Sequence, residues 1–270
     1  MLRLLALALF AAPALAQPLR FEWKAGEVHK FTVLHETTVI ETTADKITST
    51  TSSKLKLSKF WTVVSVDADG ATLSLTVTAM RQDLTRPVVG DNGKIADETS
   101  TVDSATPDGA KQMAAYLNTP LLTAKIDARG RISDVKAVFP DAALRLQEEL
   151  PFRILLPDEA LTADSKWERP FTIKLDPPAG TGEVHEAVQS FAVEKLDAAR
   201  TVFKVGTSMK SPPKEVADLQ PLLPWLWEGT VTIAGGRYQG SKLAVSRDYP
   251  NHAGAGSKFS FRSTLSESRE

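Results

Sequence analysis

The apolar residues of this chain recur every second position, not every third or fourth, and that spacing admits little besides antiparallel sheet. Phe31, Val33, Thr37 and Val39 fall on one phase. Leu73, Leu75 and Val77 do the same, as do Phe203 with Val205 and Phe259 with Phe261. Successive strand side chains point to opposite faces, so period two gives each strand one dry and one wet face. Turn-forming residues at 44–45, 67–70, 127–130, 176–182, 235–236 and 251–256 separate the runs.

Helical spacing is confined to three short stretches, 107–117, 140–150 and 213–219, each with proline at or near its start. The expected fold is therefore mainly β (α+β): a curved antiparallel sheet or open half-barrel with two or three short helices. Residues 36–58 hold seven Thr and four Ser. The apolar flanks of this segment and the fit of Thr to a pleated surface predict a long hairpin with a wet outer half. Residues 86–106, rich in Asp, Gly, Ser and Thr, read as the most loop-like link in the chain.

Three turns repeat one formula. Asp67-Ala68-Asp69-Gly70, Asp127-Ala128-Arg129-Gly130 and Asp197-Ala198-Ala199-Arg200 each stand before a strand. Asp at the first place can accept a backbone N–H two residues on, and Gly supplies positive φ. The third turn lacks the Gly and should close differently. Residues 60–80 and 190–210 align without a gap, and Trp23 before Phe31 echoes Trp167 before Phe171. Two readings stay open: an internal duplication with halves at 17–106 and 107–270, or the ordinary likeness of two β-meanders in a single domain spanning 17–270.

The first sixteen residues have the build of a secretory signal peptide: a positive start at Arg3, an apolar run over 4–12, and Ala14-Leu15-Ala16 as a cleavage site. The run is too short to span a bilayer, which takes about 20 residues. Gln17, not Cys, follows the expected cut, so no N-terminal lipid is expected. The expected location is periplasmic or secreted, without a membrane anchor.

Composition narrows the chemistry. Basic and acidic side chains number 32 and 33, giving no electrostatic reason to expect nucleic acid as partner. The chain has no cysteine, which excludes disulfides, zinc–thiolate sites and iron–sulfur clusters. The four histidines are scattered. His29 and His35 share a strand face but stand roughly 20 Å apart at about 3.3 Å per residue, too far to share one ion. His35-Glu36 and His185-Glu186 lack the second His that a zincin needs four residues on. Ser-x-x-Lys occurs at Ser53, Ser133 and Ser211 without its companion motifs. Asp67-x-Asp69-Gly70 has Thr78 where a calcium loop needs Glu. Carboxylate pairs need not be close in sequence, so a glycosidase-like pair would leave no mark. The expectation is a non-enzyme with no cofactor and no metal.

Large side chains are more suggestive. Trp225 and Trp227, two apart, would point the same way on a strand. Together with Trp61, Met113, Leu117 and Leu144 they are candidates for the wall of an apolar ligand site. The same rings equally suit the core of a cysteine-free β protein, and both readings stay open.

The order Trp23-Lys24-Ala25-Gly26-Glu27, Phe31-Thr32-Val33, a Thr-rich strand and the turn at Gly70 resembles an uncharacterised family of exported bacterial proteins, a domain of unknown function. The later elements Ile126-Asp127-Ala128-Arg129-Gly130, Asp164-Ser165-Lys166-Trp167 and Tyr238-Gln239-Gly240 extend the resemblance over most of residues 17–270. It implies no activity and no site residues. In architecture the chain also resembles periplasmic lipoprotein carriers of the LolA and LppX type, which implies short helices on the concave face of a half-barrel and an apolar cavity between them. Two functions follow as expectations. One is an exported binder of an apolar or lipid-like small molecule. The other is a structural or protein-interaction module whose partner is another envelope protein.

Overall fold

A computed structural model describes residues 17–45, 47–89, 95–138, 154–177 and 179–270. The stretch read as a signal peptide and the helix expected at 140–150, with Leu144, lie outside the described residues.

Twelve strands form one antiparallel sheet. They are β1 (Val28–Thr42), β2 (Thr48–Asp67), β3 (Gly70–Val89), β4 (Ile95–Asp103), β5 (Pro120–Ile126), β6 (Ile132–Ala137), β7 (Lys166–Leu175), β8 (Glu183–Leu196), β9 (Thr201–Met209), β10 (Glu228–Ala234), β11 (Arg237–Pro250) and β12 (Lys258–Arg269). The order across the sheet is β6-β5-β3-β2-β1-β12-β11-β10-β9-β8-β7, and β4 pairs with the far half of β3. Strands β1 and β12 close the chain's two ends on each other at the centre, from Phe31 opposite Arg269 to Thr42 opposite Lys258.

Two straps show that this sheet is rolled. Phe21 N donates to Ala128 O at 2.7 Å, and the next residue, Glu22 N, donates to Gly236 O at 2.9 Å. Ala128 lies in the β5–β6 turn and Gly236 in the β10–β11 turn, with β3, β2, β1 and β12 between them. On a flat sheet those turns would stand about 25 Å apart at about 4.8 Å per strand. Consecutive residues reach about 3.8 Å, so the sheet must curl until the two turns flank one extended segment. The second strap joins opposite ends of the strand order. Leu156 N donates to Arg129 O at 2.9 Å, Arg129 Nε donates to Leu156 O at 2.7 Å, and Trp167 Nε1 on β7 donates to Leu155 O at 2.6 Å.

The straps cap one end of the roll and carry Phe21, Ile154 and Leu156 into its core. Gly130 makes this approach possible. Its φ is +93°, and a Cβ there would lie 2.7 Å from Ile154 O and 2.8 Å from the Phe21 ring. The inward face holds one contiguous core running from Phe31, Trp61 and Leu73 through Phe203, Val231 and Tyr238 to Leu265. With no disulfide to assist, this burial is what holds the roll closed.

The Thr-rich segment is the β1–β2 hairpin, paired from Val28 opposite Thr62 to Thr42 opposite Thr48, and its outer half is only partly buried. The link at 86–106 is different from expectation. Its described residues extend β3 and form β4, paired from Arg81 opposite Asp103 to Val89 opposite Ile95. Both faces of this pair are wet, so no apolar period marks it in the sequence.

The helix expected at 107–117 is α1 (Pro107–Met113), where Thr106 Oγ1 accepts from Gly109 N at 3.1 Å as the N-cap. The third is a single turn, α2 (Val216–Leu219), continued as a 3-10 segment (Gln220–Trp225) that buries Leu222 and Leu223.

All three Asp turns form as read. Asp67, Asp127 and Asp197 each accept the amide two residues on, at 2.9, 2.8 and 2.9 Å. Arg200 stands where the others have Gly, and its N–H is bonded to Asp197 Oδ1 at 2.8 Å. The aligned hairpins share their register. Trp61 faces Leu75 and Val63 faces Leu73, with a bulge at Val64; Phe191 faces Val205 and Val193 faces Phe203, with a bulge at Glu194. The residue facing Trp61 from the neighbouring strand is His29, and the one facing Phe191 is Trp167. His29, not Trp23, therefore occupies the place equivalent to Trp167. Trp23 belongs to the strap, where no strand register applies.

Candidate ligand-binding face

Polar side chains on the inward face form three levels above the cap. The lowest surrounds Glu27, which binds Arg237 through both carboxylate oxygens at 2.9 and 3.2 Å and has Arg269 at 3.6 Å. The Arg237 hydrogen bond holds the Glu27 carboxyl below its ordinary pKa, and Arg237 is raised in turn. His29 lies 3.7 Å from Glu27 and edge-on to Trp23. Burial, helped by the Arg269 charge, pushes the His29 pKa down against the smaller pull of Glu27.

The second level is an ion pair inside the core. Lys59 Nζ and Glu267 Oε1 are 3.0 Å apart, with both side chains at most 2% exposed. Tyr238 Oη donates to Glu267 Oε2 at 2.8 Å and lies 3.0 Å from Ser241 Oγ. Lys59 is in phase with Leu57, Trp61 and Val63, and Glu267 is in phase with Phe259, Phe261 and Leu265. The strand geometry thus forces both charges inward.

The third level crosses the sheet. His35 Nε2 and Ser263 Oγ are 3.0 Å apart, and Thr37 Oγ1 is 2.7 Å from Ser263 Oγ. The His35 ring meets Trp227 edge-on at 5.7 Å. Trp227 O accepts from Thr207 N at 2.9 Å, which leads across β9 to Gln189 and across β8 to Arg169. Arg169 Nε donates to Gln189 Oε1 at 2.6 Å. Its guanidinium carbon stands 6.0 Å from the Phe171 ring centre and 5.9 Å from that of Phe191. Burial depresses the Arg169 pKa. Phe171 in turn meets Trp225 at 6.3 Å.

A Ser–His contact invites comparison with a nucleophile and its base. Ser263 is mid-strand and 2% exposed, and its hydroxyl is shared with Thr37. The contact serves to satisfy polar groups on a dry face.

The five sequence candidates among the described residues do not form one wall. Trp61 is in the core at the level of His29, and Met113, the last residue of α1, is buried but outside the contiguous core. Leu117 is partly buried and bridges to Val77. Trp225 and Trp227 are not on a strand, and they point to different partners, Phe171 and His35. The reason is Pro224 and the 3-10 turn, which rotates residues two apart away from a common face. Sequence reasoning missed Arg169, Gln189, Thr207, Thr37 and Ser263, and weighed His35 only as a metal ligand. The available signal was phase: Arg169 shares a strand face with Trp167, Phe171 and Ile173.

Outside the roll, a shallow concavity of about 600 Å³ is lined by Lys166, Glu168, Lys204, Gly206 and Glu228. Among the described residues no three His, Asp or Glu side chains are placed to hold a metal ion.

No protein-family model and no curated protein matches this chain. Among solved structures, an outer membrane channel from Pseudomonas putida F1 aligns over 93% of this chain and 97% of that one, at 7% identity and a TM-score of 0.25. A likeness that slight bears on neither fold nor function.

Proposed function

We propose that this chain is an exported, non-enzymatic binding module that holds an apolar or lipid-like small molecule against the inward face at β7, β8 and the 3-10 segment. One observation carries the reading. Phe171, Trp225, Arg169 and Gln189 face the inside of the roll yet each keeps part of its surface exposed, where the cap end of the same face is filled. Aromatic walls with a few placed polar groups are how small apolar ligands are held. The signal-like residues 1–16 support export, and Gln17 supports release without a lipid anchor.

Native mass spectrometry of the gently purified protein tests this. An acyl-containing adduct that disappears on delipidation, with a fall in melting temperature, is the expected result. A clean apo mass, and no thermal shift with mixed lipids, would refute it.

A second reading, an envelope interaction module, is favoured by β4. Among the described residues it pairs only with β3, and nearly all of it is exposed, which leaves a strand edge for another chain. Asp97 and Glu98 on that edge discourage indiscriminate pairing. Loss of partner capture on replacing residues 95–103 would support this reading.

A further inference from the structure

Charges on the inward face come with partners. Lys59 has Glu267, and Arg237 and Arg269 share Glu27. Arg169 has no such ion-pair partner among the described residues. Among the described residues its guanidinium touches one neutral amide, Gln189, and two aromatic rings. Among the described residues no carboxylate is paired with it. A guanidinium held this far out of water without an anion is costly, because neither Coulomb attraction nor full hydration offsets its desolvation.

The geometry around it is ordered. Gln189 fixes the Nε edge at 2.6 Å, and Gln189 Nε2 is itself 3.5 Å from Thr207 Oγ1. That leaves the two Nη groups, a planar pair of donors, without protein partners among the described residues. Phe171 and Trp225 lie alongside, partly exposed.

We infer that Arg169 is the headgroup anchor of the ligand face, and that the ligand is a long-chain fatty carboxylate whose two oxygens meet the Nη pair while its chain lies on Phe171 and Trp225. This rests on the binding reading above and gives it a ligand class. Planar carboxylate matches a guanidinium fork with two parallel hydrogen bonds. One cation neutralises one carboxylate, whereas a phosphate monoester near −2 would leave net negative charge in a partly dry site.

The test compares oleate, oleyl alcohol and oleyl phosphate binding to the full chain after delipidation. The wild type should prefer oleate over the alcohol by at least tenfold. Arg169→Met should erase that preference, bringing oleate affinity down to that of the alcohol; Arg169→Lys should fall between. Equal binding of oleate and alcohol by the wild type, or an undiminished preference in Arg169→Met, would overturn the anchor while leaving an apolar site in place. Oleyl phosphate binding more tightly than oleate would overturn the carboxylate assignment. Failure of every probe to bind would overturn both the anchor and the binding reading. Should Arg169→Met not fold, judged by circular dichroism, the wild-type ranking and Arg169→Lys decide.

Discussion

Lys59 and Glu267 lie 208 residues apart in sequence and 3.0 Å apart in the core, on strands that flank β1 from either side. Removing one member takes the ion-pair partner from the other inside the core, which costs about 3–5 kcal/mol. Lys59→Met or Glu267→Leu alone should therefore destabilise the protein by that amount in urea unfolding. The double variant should recover much of the loss. A double variant as unstable as the sum of the singles would show that the pair is not the source.

Gly130 tests the cap. Its positive φ and the 2.7 Å approach of Ile154 O to a notional Cβ leave no room for a side chain. Gly130→Ala should cost about 1–3 kcal/mol of stability. It should also loosen the second strap, seen as faster hydrogen exchange at Leu156 N. A neutral substitution would contradict the role given to the straps.

His29 should make stability pH-dependent. Its folded pKa lies below 6.5 because burial disfavours the charged form. Between the folded and unfolded pKa values the unfolded chain binds more protons, so stability is complete above about pH 6.5 and falls as pH drops below it. His29→Phe should flatten that part of the stability profile. An unchanged slope would assign the effect elsewhere.

The β3–β4 hairpin has few apolar contacts and wet faces, so its amides should exchange first. Deuterium uptake at residues 95–103 should run well ahead of uptake at 57–63 in β2. Equal protection would mean that something covers this edge.

What was legible in the sequence was whatever period two and turn chemistry encode. The Thr-rich hairpin, the Asp turns and α1 are local, and Asp67, Gly70 and Pro107 announce them. The β3–β4 hairpin was not legible, because neither face is dry and no apolar phase exists to detect. The curved sheet was expected, but the contacts that hold it rolled were not legible, because they depend on Phe21 meeting Ala128 and Leu156 meeting Arg129 across the whole strand order. The polar levels were half-legible. Lys59, Glu267 and Arg169 each sit in an apolar phase, and a charge in that phase must turn inward; which partner it finds is fixed by strand order, which no local pattern reveals. Trp225 and Trp227 misled for the same reason, since a 3-10 turn replaced the strand that their spacing suggested.

The central claim is that the inward face at β7, β8 and the 3-10 segment takes an apolar chain, and the most direct measurement is equilibrium titration of the delipidated protein with oleyl alcohol, followed by tryptophan fluorescence. Saturable binding that weakens at least fivefold in Phe171→Ala and in Trp225→Ala, with both variants folded, is the predicted result. Absence of saturable binding, or affinity untouched by either substitution, would contradict the account.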